Sequence, residues 1–335
     1  MKRLPALLLA LALLFSAACA EAPDVTNYRQ TRAYVQENQP TQLDLGVTRF
    51  TPEQLWKLKS ALPQGAVMTF TMDYCKALIP QDAREVDLNG HSKGVTAKDL
   101  EYLIDLLPNL EKLVFTRHRD LANKAVIPLI EKYPKIEFVW HVRIKGRYAI
   151  DSDATAFSSQ KRLSDKKPVL TSRDLEVLKY VPNLRALDLG HHDLTTLDFV
   201  KYLPELRILI LADNNIRDLT PLAQLGHLEY LELFRNKVSD LSPLAGLTNL
   251  LDLNLCFMPL SESDLTVLDG LNRLERFWCN MSRVPEEMQQ QFISAHPDTL
   301  VMFDGTRSTD DGWRDHPRYT QYRDMFENFA WRPFE

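Results

Sequence analysis

From Leu184 onward the chain repeats one figure, L-x-x-L-x-L, and no other feature limits its fold as tightly. The figure stands at Leu206, Leu209 and Leu211 and again at Leu228, Leu231 and Leu233, 22 residues later. Gapless copies lead from Leu184, Leu206, Leu228 and Leu250, and a fifth copy, 24 residues further on, reads Leu274, Phe277, Cys279. The last two apolar positions alternate with a variable residue, so both side chains leave an extended strand on one face. A 22-residue unit cannot bury that face alone. Stacked units can, with the leucines aligned in continuous columns.

Two further positions recur. The third residue after each strand figure is His192, Asn214, Asn236, Met258 and Ser282, and the fifth is Leu194, Ile216, Val238, Leu260 and Val284. A polar side chain at the third position can satisfy backbone groups that a tight corner leaves unpaired, and Asn214 and Asn236 suit that task. The segment that follows, "IRDLTPLAQLGH", returns the chain along the outside, with Leu219, Leu222 and Leu225 turned inward.

On these residues the stretch from Leu184 to Val284 is identified as a leucine-rich repeat, and "LxxLxLxxNxIxDLxPLxxLxxL" resembles the 22-residue bacterial class found in internalins. The resemblance implies an α/β solenoid. A curved parallel sheet forms its concave face, and helices, 3-10 turns and loops form its convex face. It also implies recognition of a protein or peptide.

The pattern weakens towards the N-terminus. "LPNLEKLVF" at Leu107 echoes "VPNLRALDL", "YPKIEFVWH" at Tyr133 is a third version, and "QLDLG" at Gln42, "EVDLN" at Glu85 and "ATAFSS" at Ala154 are shorter strand candidates. Irregular repeats are therefore expected back to about Leu43, some with true helices, as over Thr96 to Leu107. Past Val284, "PEEMQQQFISAHP" reads as a helix with Pro285 in its first turn, and "TLVMF" at Thr299 reads as a closing strand. The tail "GWRDHPRYTQYRDMFENF" carries aromatics and arginines. Solenoid ends expose core, so capping is its expected role.

The chain opens with Lys2, Arg3 and an apolar run from Leu4 to Phe15, 12 residues long. That is too short to span a membrane and reads as an export signal. "AACA" permits cleavage before Glu21 through Ala18 and Ala20. It also places Cys19 after two small residues, as in a bacterial lipoprotein signal, although Ser16 stands where an aliphatic residue is usual. Lipidation of Cys19 is the preferred reading because it accounts for the cysteine. The chain is then expected to be exported and tethered to the outer face of the cell membrane through that lipid, or otherwise secreted. The expected layout is an export signal over 1–20, a tether over 21–42 and irregular N-terminal repeats with a cap over 43–165. Regular repeats follow over 166–284, then a C-terminal cap and tail over 285–335.

Catalytic chemistry finds little support. There is no G-x-S-x-G, no H-E-x-x-H and no phosphate-binding glycine loop. Cys75, Cys256 and Cys279 form neither a disulfide framework nor a zinc motif. "HHD" at His191 puts His192 in the turn column and His191 beside the sheet, which argues against a shared metal. His91 and His118 fall in turns too. "DGTRSTDDG" at Asp304 fails as a calcium loop because Thr309 stands where glycine is needed and the closing glutamate is missing. No metal and no cofactor are expected. An enzyme would be indicated by a cleft pairing two titratable residues with strongly shifted pKa values. The net charge of −5 without a basic stripe speaks against nucleic acid.

What remains is the side of the strands opposite the leucines. There Ile208, Ile210, Tyr230, Phe234, Phe257 and Trp278 form a neighbouring apolar group, ringed by charged residues that include Glu232, Arg235 and Arg276. An apolar patch with a polar rim marks a binding site, and Trp, Tyr and Arg are frequent hot-spot residues. The expected ligand site is therefore these nine residues, taking a protein or peptide. Two structural readings stay open: the C-terminal tail folds over the patch, or the aromatics pack on one another. The alternative function is a structural envelope protein that binds glycan or self-associates.

Overall fold

The computed structural model describes residues 24–90, 94–159, 169–309 and 312–334. The expected signal over 1–20, Cys19, the first part of the tether and His91 lie outside the described residues. The chain divides into two compact units, one up to Val114 together with Leu129–Glu137, the other Phe115–Pro128 together with Phe138–Glu335.

The first unit holds α1 (Tyr28–Asn38), β1 (Gln42–Thr48), α2 (Pro52–Ala61), β2 (Val67–Tyr74), β3 (Ala77–Pro80), β4 (Glu85–Asp87), α3 (Ala97–Leu106) and β5 (Lys112–Val114). β1 and β2 run parallel, as do β4 and β5, with leucine-type side chains buried at alternate positions. α3 starts where the sequence places a helix, at Thr96, which caps the Asp99 N–H while Asp99 caps Thr96 in return. β2 and β3 are antiparallel, joined at Cys75 and Lys76, both in the left-handed region. That is the geometry of a two-residue hairpin turn, normally built from Asn and Gly. Gly90 faces this turn: a Cβ on it would meet the Cys75 carbonyl oxygen at 2.0 Å, so only glycine fits. The division between the units falls within α4 (Asn123–Lys132) and β6 (Glu137–Val139).

The second unit opens with an antiparallel pair, β7 (His141–Lys145) and β8 (Tyr148–Asp151). The repeat then builds one strand per turn: β9 (Ala156–Ser158), β10 (Ala186–Asp188), β11 (Ile208–Ile210), β12 (Tyr230–Glu232), β13 (Asp252–Asn254) and β14 (Arg276–Trp278). After α5 (Glu286–Ala295) comes β15 (Leu300–Met302), and α6 (Pro317–Asn328) ends the order. β9 to β15 form one seven-stranded sheet in sequence order, every neighbouring pair parallel. The sheet thus takes in one strand before residue 166 and one after residue 284. The fold is a leucine-rich-repeat solenoid.

Register puts Leu187, Leu209, Leu231, Leu253 and Phe277 in one row, all with no exposed surface. Short 3-10 turns such as Thr220–Gln224 bring Leu219, Leu222 and Leu225 against that row from outside. The turn column satisfies the corners as its chemistry suggests. Asn214 donates through Nδ2 to the carbonyls of Leu189 and Leu211 at 2.9 and 3.0 Å and accepts the Leu194 N–H at 3.0 Å. Asn236 repeats this one turn on, and Ser282 does so with a hydroxyl at 2.7 Å from the Leu255 carbonyl. His192 accepts the Leu170 N–H through Nδ1 at 3.1 Å, which gives it a structural task in that column.

Candidate functional site: the covered sheet face and its cleft

On the sheet face opposite the leucine row, strand register sets two further rows. One runs Ala186, Ile208, Tyr230, Asp252, Arg276, and the other Asp188, Ile210, Glu232, Asn254, Trp278. The expectation that this face lies open is corrected. Ile208, Ile210, Tyr230, Glu232, Phe234, Arg276 and Trp278 are all buried, and Tyr230 and Trp278 have no exposed surface. The cover is the chain's own C-terminal tail. Trp313, Tyr322, Met325 and Phe326 join the sheet residues in one hydrophobic cluster, with Phe257, Trp331 and Phe334 packed against its edge. The tail is thus a strap along the face.

Polar groups fix the strap along its length. Near β14 and β13, Asn280 and Asn254 donate to the carbonyls of Arg307 and Ser308 at 3.0 and 2.6 Å. The Trp313 ring stands 5.2 Å from Trp278 and 5.6 Å from Tyr230, and its Nε1–H donates to Glu232 at 2.8 Å. Arg276 lies over the same ring at 4.5 Å and donates to Asp252 at 2.5 Å. From α6, Arg318 meets Asp252 with two nitrogens, at 2.7 and 2.9 Å, and Glu275 with a third at 2.7 Å. At the far end the Trp331 N–H donates to Thr155 Oγ1 at 2.8 Å, and the guanidiniums of Arg185 and Arg207 sit over its ring at 4.9 and 5.3 Å. Asp252, Arg276 and Arg318 would be costly alone on a buried face, and here they are paired and hydrogen-bonded.

The tail does not fill the face completely. A cleft of about 290 Å³ remains between β10 to β12 and α6. Asp188, Ile210 and Glu232 line it from the sheet, and Tyr319, Tyr322, Arg323 and Phe326 from the helix. Burial raises the Asp188 carboxyl, against the Ser158 hydroxyl and Gly190 N–H that lower it. Burial likewise raises Glu232, against hydrogen bonds from Tyr230 and Trp313. This cleft pairs two titratable groups, the feature that would indicate catalysis. Asp188 accepts on both oxygens, from Ser158 at 2.7 Å and Gly190 at 3.0 Å, and Glu232 accepts twice on Oε1, from Tyr230 and Trp313.

Arg235 and Phe257 lie elsewhere, on the rim. They belong to a column with positive φ at successive turns: His191 (63°), Asp213 (53°), Arg235 (56°), Phe257 (58°) and Met281 (57°). Each of the first four N–H groups is used by the next repeat, as in Arg235 N–H to the Cys256 carbonyl at 3.0 Å. His191 Nδ1 is 3.0 Å from Asp213, and Arg235 lies 5.1 Å over the Phe257 ring.

Of the two structural readings left open, the structure has the tail folded over the patch; the sequence reading did not single out Trp313, Arg318, Tyr322, Phe326 and Trp331 as the residues that do so. Tyr319, Tyr322 and Phe326 do fall at helical spacing behind Pro317, which is a readable signal for a helix with an aromatic face.

No family model matches the chain, and no curated relative does. Among solved structures it is similar to internalin C2 of Listeria monocytogenes, at 24% identity over 47% of this chain and 76% of that one, with a TM-score of 0.34. It is similar to a second Listeria internalin, at 16% identity over 82% of this chain and 87% of that one, with a TM-score of 0.40. A leucine-rich-repeat protein of Leptospira interrogans is 18% identical over 76% of this chain and 70% of that one, with a TM-score of 0.40.

Proposed function

We propose that this is a non-catalytic binding protein that recognises a protein partner along the rim of the solenoid, at Arg235, Phe257 and Met281. The observation that carries the reading is the left-handed column. A non-glycine residue there costs about 1 kcal/mol or more, and glycine would avoid that cost. Yet five turns in succession carry side chains, and the last three are Arg, Phe and Met. Arg235 is exposed, Phe257 is half-buried and Met281 is 57% exposed. A cation stacked on an aromatic ring beside a free thioether is the composition of a protein-binding hot spot. The strap already occupies the sheet face, so a partner of the repeat array meets it elsewhere, and the rim presents large side chains.

Glycine substitution separates the two roles of this column. Arg235→Gly with Met281→Gly relieves the backbone while deleting the side chains. In a pull-down with the chain from residue 21 onward, the variant should lose the partner captured by the wild type and keep its melting temperature within a few degrees. Full retention of the partner would remove the rim from consideration.

The reading includes an exported protein held by a lipid on Cys19, supported by the signal-like N-terminus. Cys19→Ala should release the protein from the membrane fraction. Wild-type protein found free and starting at Glu21 would refute the tether.

A further inference from the structure

Three acidic side chains sit on the covered sheet face, and two of them are treated differently from the third. Asp252 is met by the Arg276 guanidinium at 2.5 Å and by that of Arg318 at 2.7 and 2.9 Å. Asp188 and Glu232 receive only neutral donors: a hydroxyl and a backbone N–H on Asp188, a phenol and an indole N–H on Glu232. Among the described residues neither forms an ion pair within 4.0 Å. Both line the same cleft of about 290 Å³. A carboxylate buried without a cation is costly; Glu232 is buried and Asp188 half-buried, and both face a common space.

The geometry of that space selects its occupant. Asp188 pairs with Ile210, and Ile210 with Glu232, so the two acids stand two strands apart in one row. Strand spacing puts their backbones about 10 Å apart. One metal ion bound by carboxylates at about 2.3–2.6 Å does not suit acids spaced in this way. An anion is repelled by both acids, and among the described residues the basic groups that line the cleft, His191, Arg314 and Arg323, make no ion pair with either acid that would leave room for one between them. The opposite wall presents the rings of Tyr319, Tyr322 and Phe326, and aromatic faces attract alkylammonium groups. The floor between the acids is the Ile210 side chain, suited to a short alkyl chain.

We propose that the cleft binds a linear alkyl diammonium ion, with one ammonium at Asp188, the other at Glu232, and the methylene chain over Ile210 beneath the α6 rings. Arg314 and Arg323 line the cleft and are exposed. They are like charges that the ligand must tolerate. The raised carboxyls of Asp188 and Glu232 accord with this, because a bound dication supplies the countercharge that burial withholds.

Calorimetric titration of the full chain with 1,4-diaminobutane tests the proposal, with n-butylamine and succinate as controls. The diamine should bind at least tenfold more tightly than the monoamine, and succinate should not bind. Asp188→Asn and Glu232→Gln should each weaken the diamine at least tenfold while leaving the ligand-free melting temperature unchanged or higher. Equal binding of diamine and monoamine, or undiminished binding by both variants, overturns it. Arg323→Gln keeps the question answerable if the carboxylate variants do not fold, since that residue is exposed. Removal of the like charge should tighten the diamine at least threefold, and unchanged or weaker binding again overturns the proposal.

Discussion

The Arg318 guanidinium holds the Asp252 carboxylate with two nitrogens, Nε to Oδ2 at 2.7 Å and Nη2 to Oδ1 at 2.9 Å, across 66 residues of sequence. Asp252 has no exposed surface. Removing one partner of a buried pair leaves an uncompensated charge, at a cost of about 3–5 kcal/mol. Arg276 stays in contact with Asp252, so Arg318→Ala should fall near the lower end. Urea unfolding followed by tryptophan fluorescence should show this, because Trp278 and Trp313 share the cluster that the pair anchors.

Truncation after residue 312 removes the strap from Trp313 onward. Tyr230, Ile208 and Trp278 then lose their cover. The truncated chain should bind a hydrophobic dye that the whole chain ignores, and should aggregate at concentrations where the whole chain is monodisperse. Light scattering and dye fluorescence check both. A truncated chain that stays monodisperse and dye-silent would contradict the role of the tail as cover.

Leu231 stands between Leu209 and Leu253 in the buried row. Leu231→Asp places a carboxylate there with no donor or cation to meet it. The variant should yield no soluble folded protein, or melt without a cooperative transition in circular dichroism.

Much of this was readable beforehand, and the reason is physical. Leu209, Leu231 and Leu253 advertise themselves because a stacked array places equivalent residues at equal spacing, so packing is written as period. Asn214 and Asn236 share that periodicity. The strap obeys no period. Trp313 meets Glu232 at a separation of 81 residues and Trp331 meets Thr155 at 176, and nothing local distinguishes those partners. Exposure of the sheet face was inferred from strand alternation, which says which way Tyr230 points and nothing about what lies beyond it. The β2–β3 hairpin was hidden for a different reason: its turn uses Cys75 and Lys76, residues that carry no turn signal.

The pH dependence of stability has a sign set by the cleft. Asp188 and Glu232 have carboxyls raised by burial, so the folded state binds protons more readily than the unfolded chain. Between the unfolded and the raised values this makes stability fall as pH rises. His191 and Arg323 act on Asp188, and Arg314 on Glu232, in the opposing direction. Asp188→Asn with Glu232→Gln removes the component. Relative to wild type, the double variant should gain stability as pH increases from about 4 towards neutral. Thermal melts across that range check it, and parallel curves would contradict it.

Asn214 makes hydrogen bonds to backbone groups of two repeats from a buried position. Asn214→Ala strands several of those groups, at about 1–3 kcal/mol for each one left unsatisfied. The loss should appear as a lower urea midpoint with an unchanged slope.

An array of repeats that touch only their neighbours behaves as a one-dimensional chain of coupled units, able to fray from either end. The Trp331–Thr155 hydrogen bond, together with the contacts of Trp313 and Arg318, ties the last segment of this chain to the first strand of the sheet. Such a tie closes the array on itself. Opening a terminal repeat must then also break contacts made hundreds of ångströms of extended chain away, so partial unfolding loses its advantage and the seven strands should melt as one cooperative block. The same closure raises contact order, so folding should be slower than for an untied array of equal length.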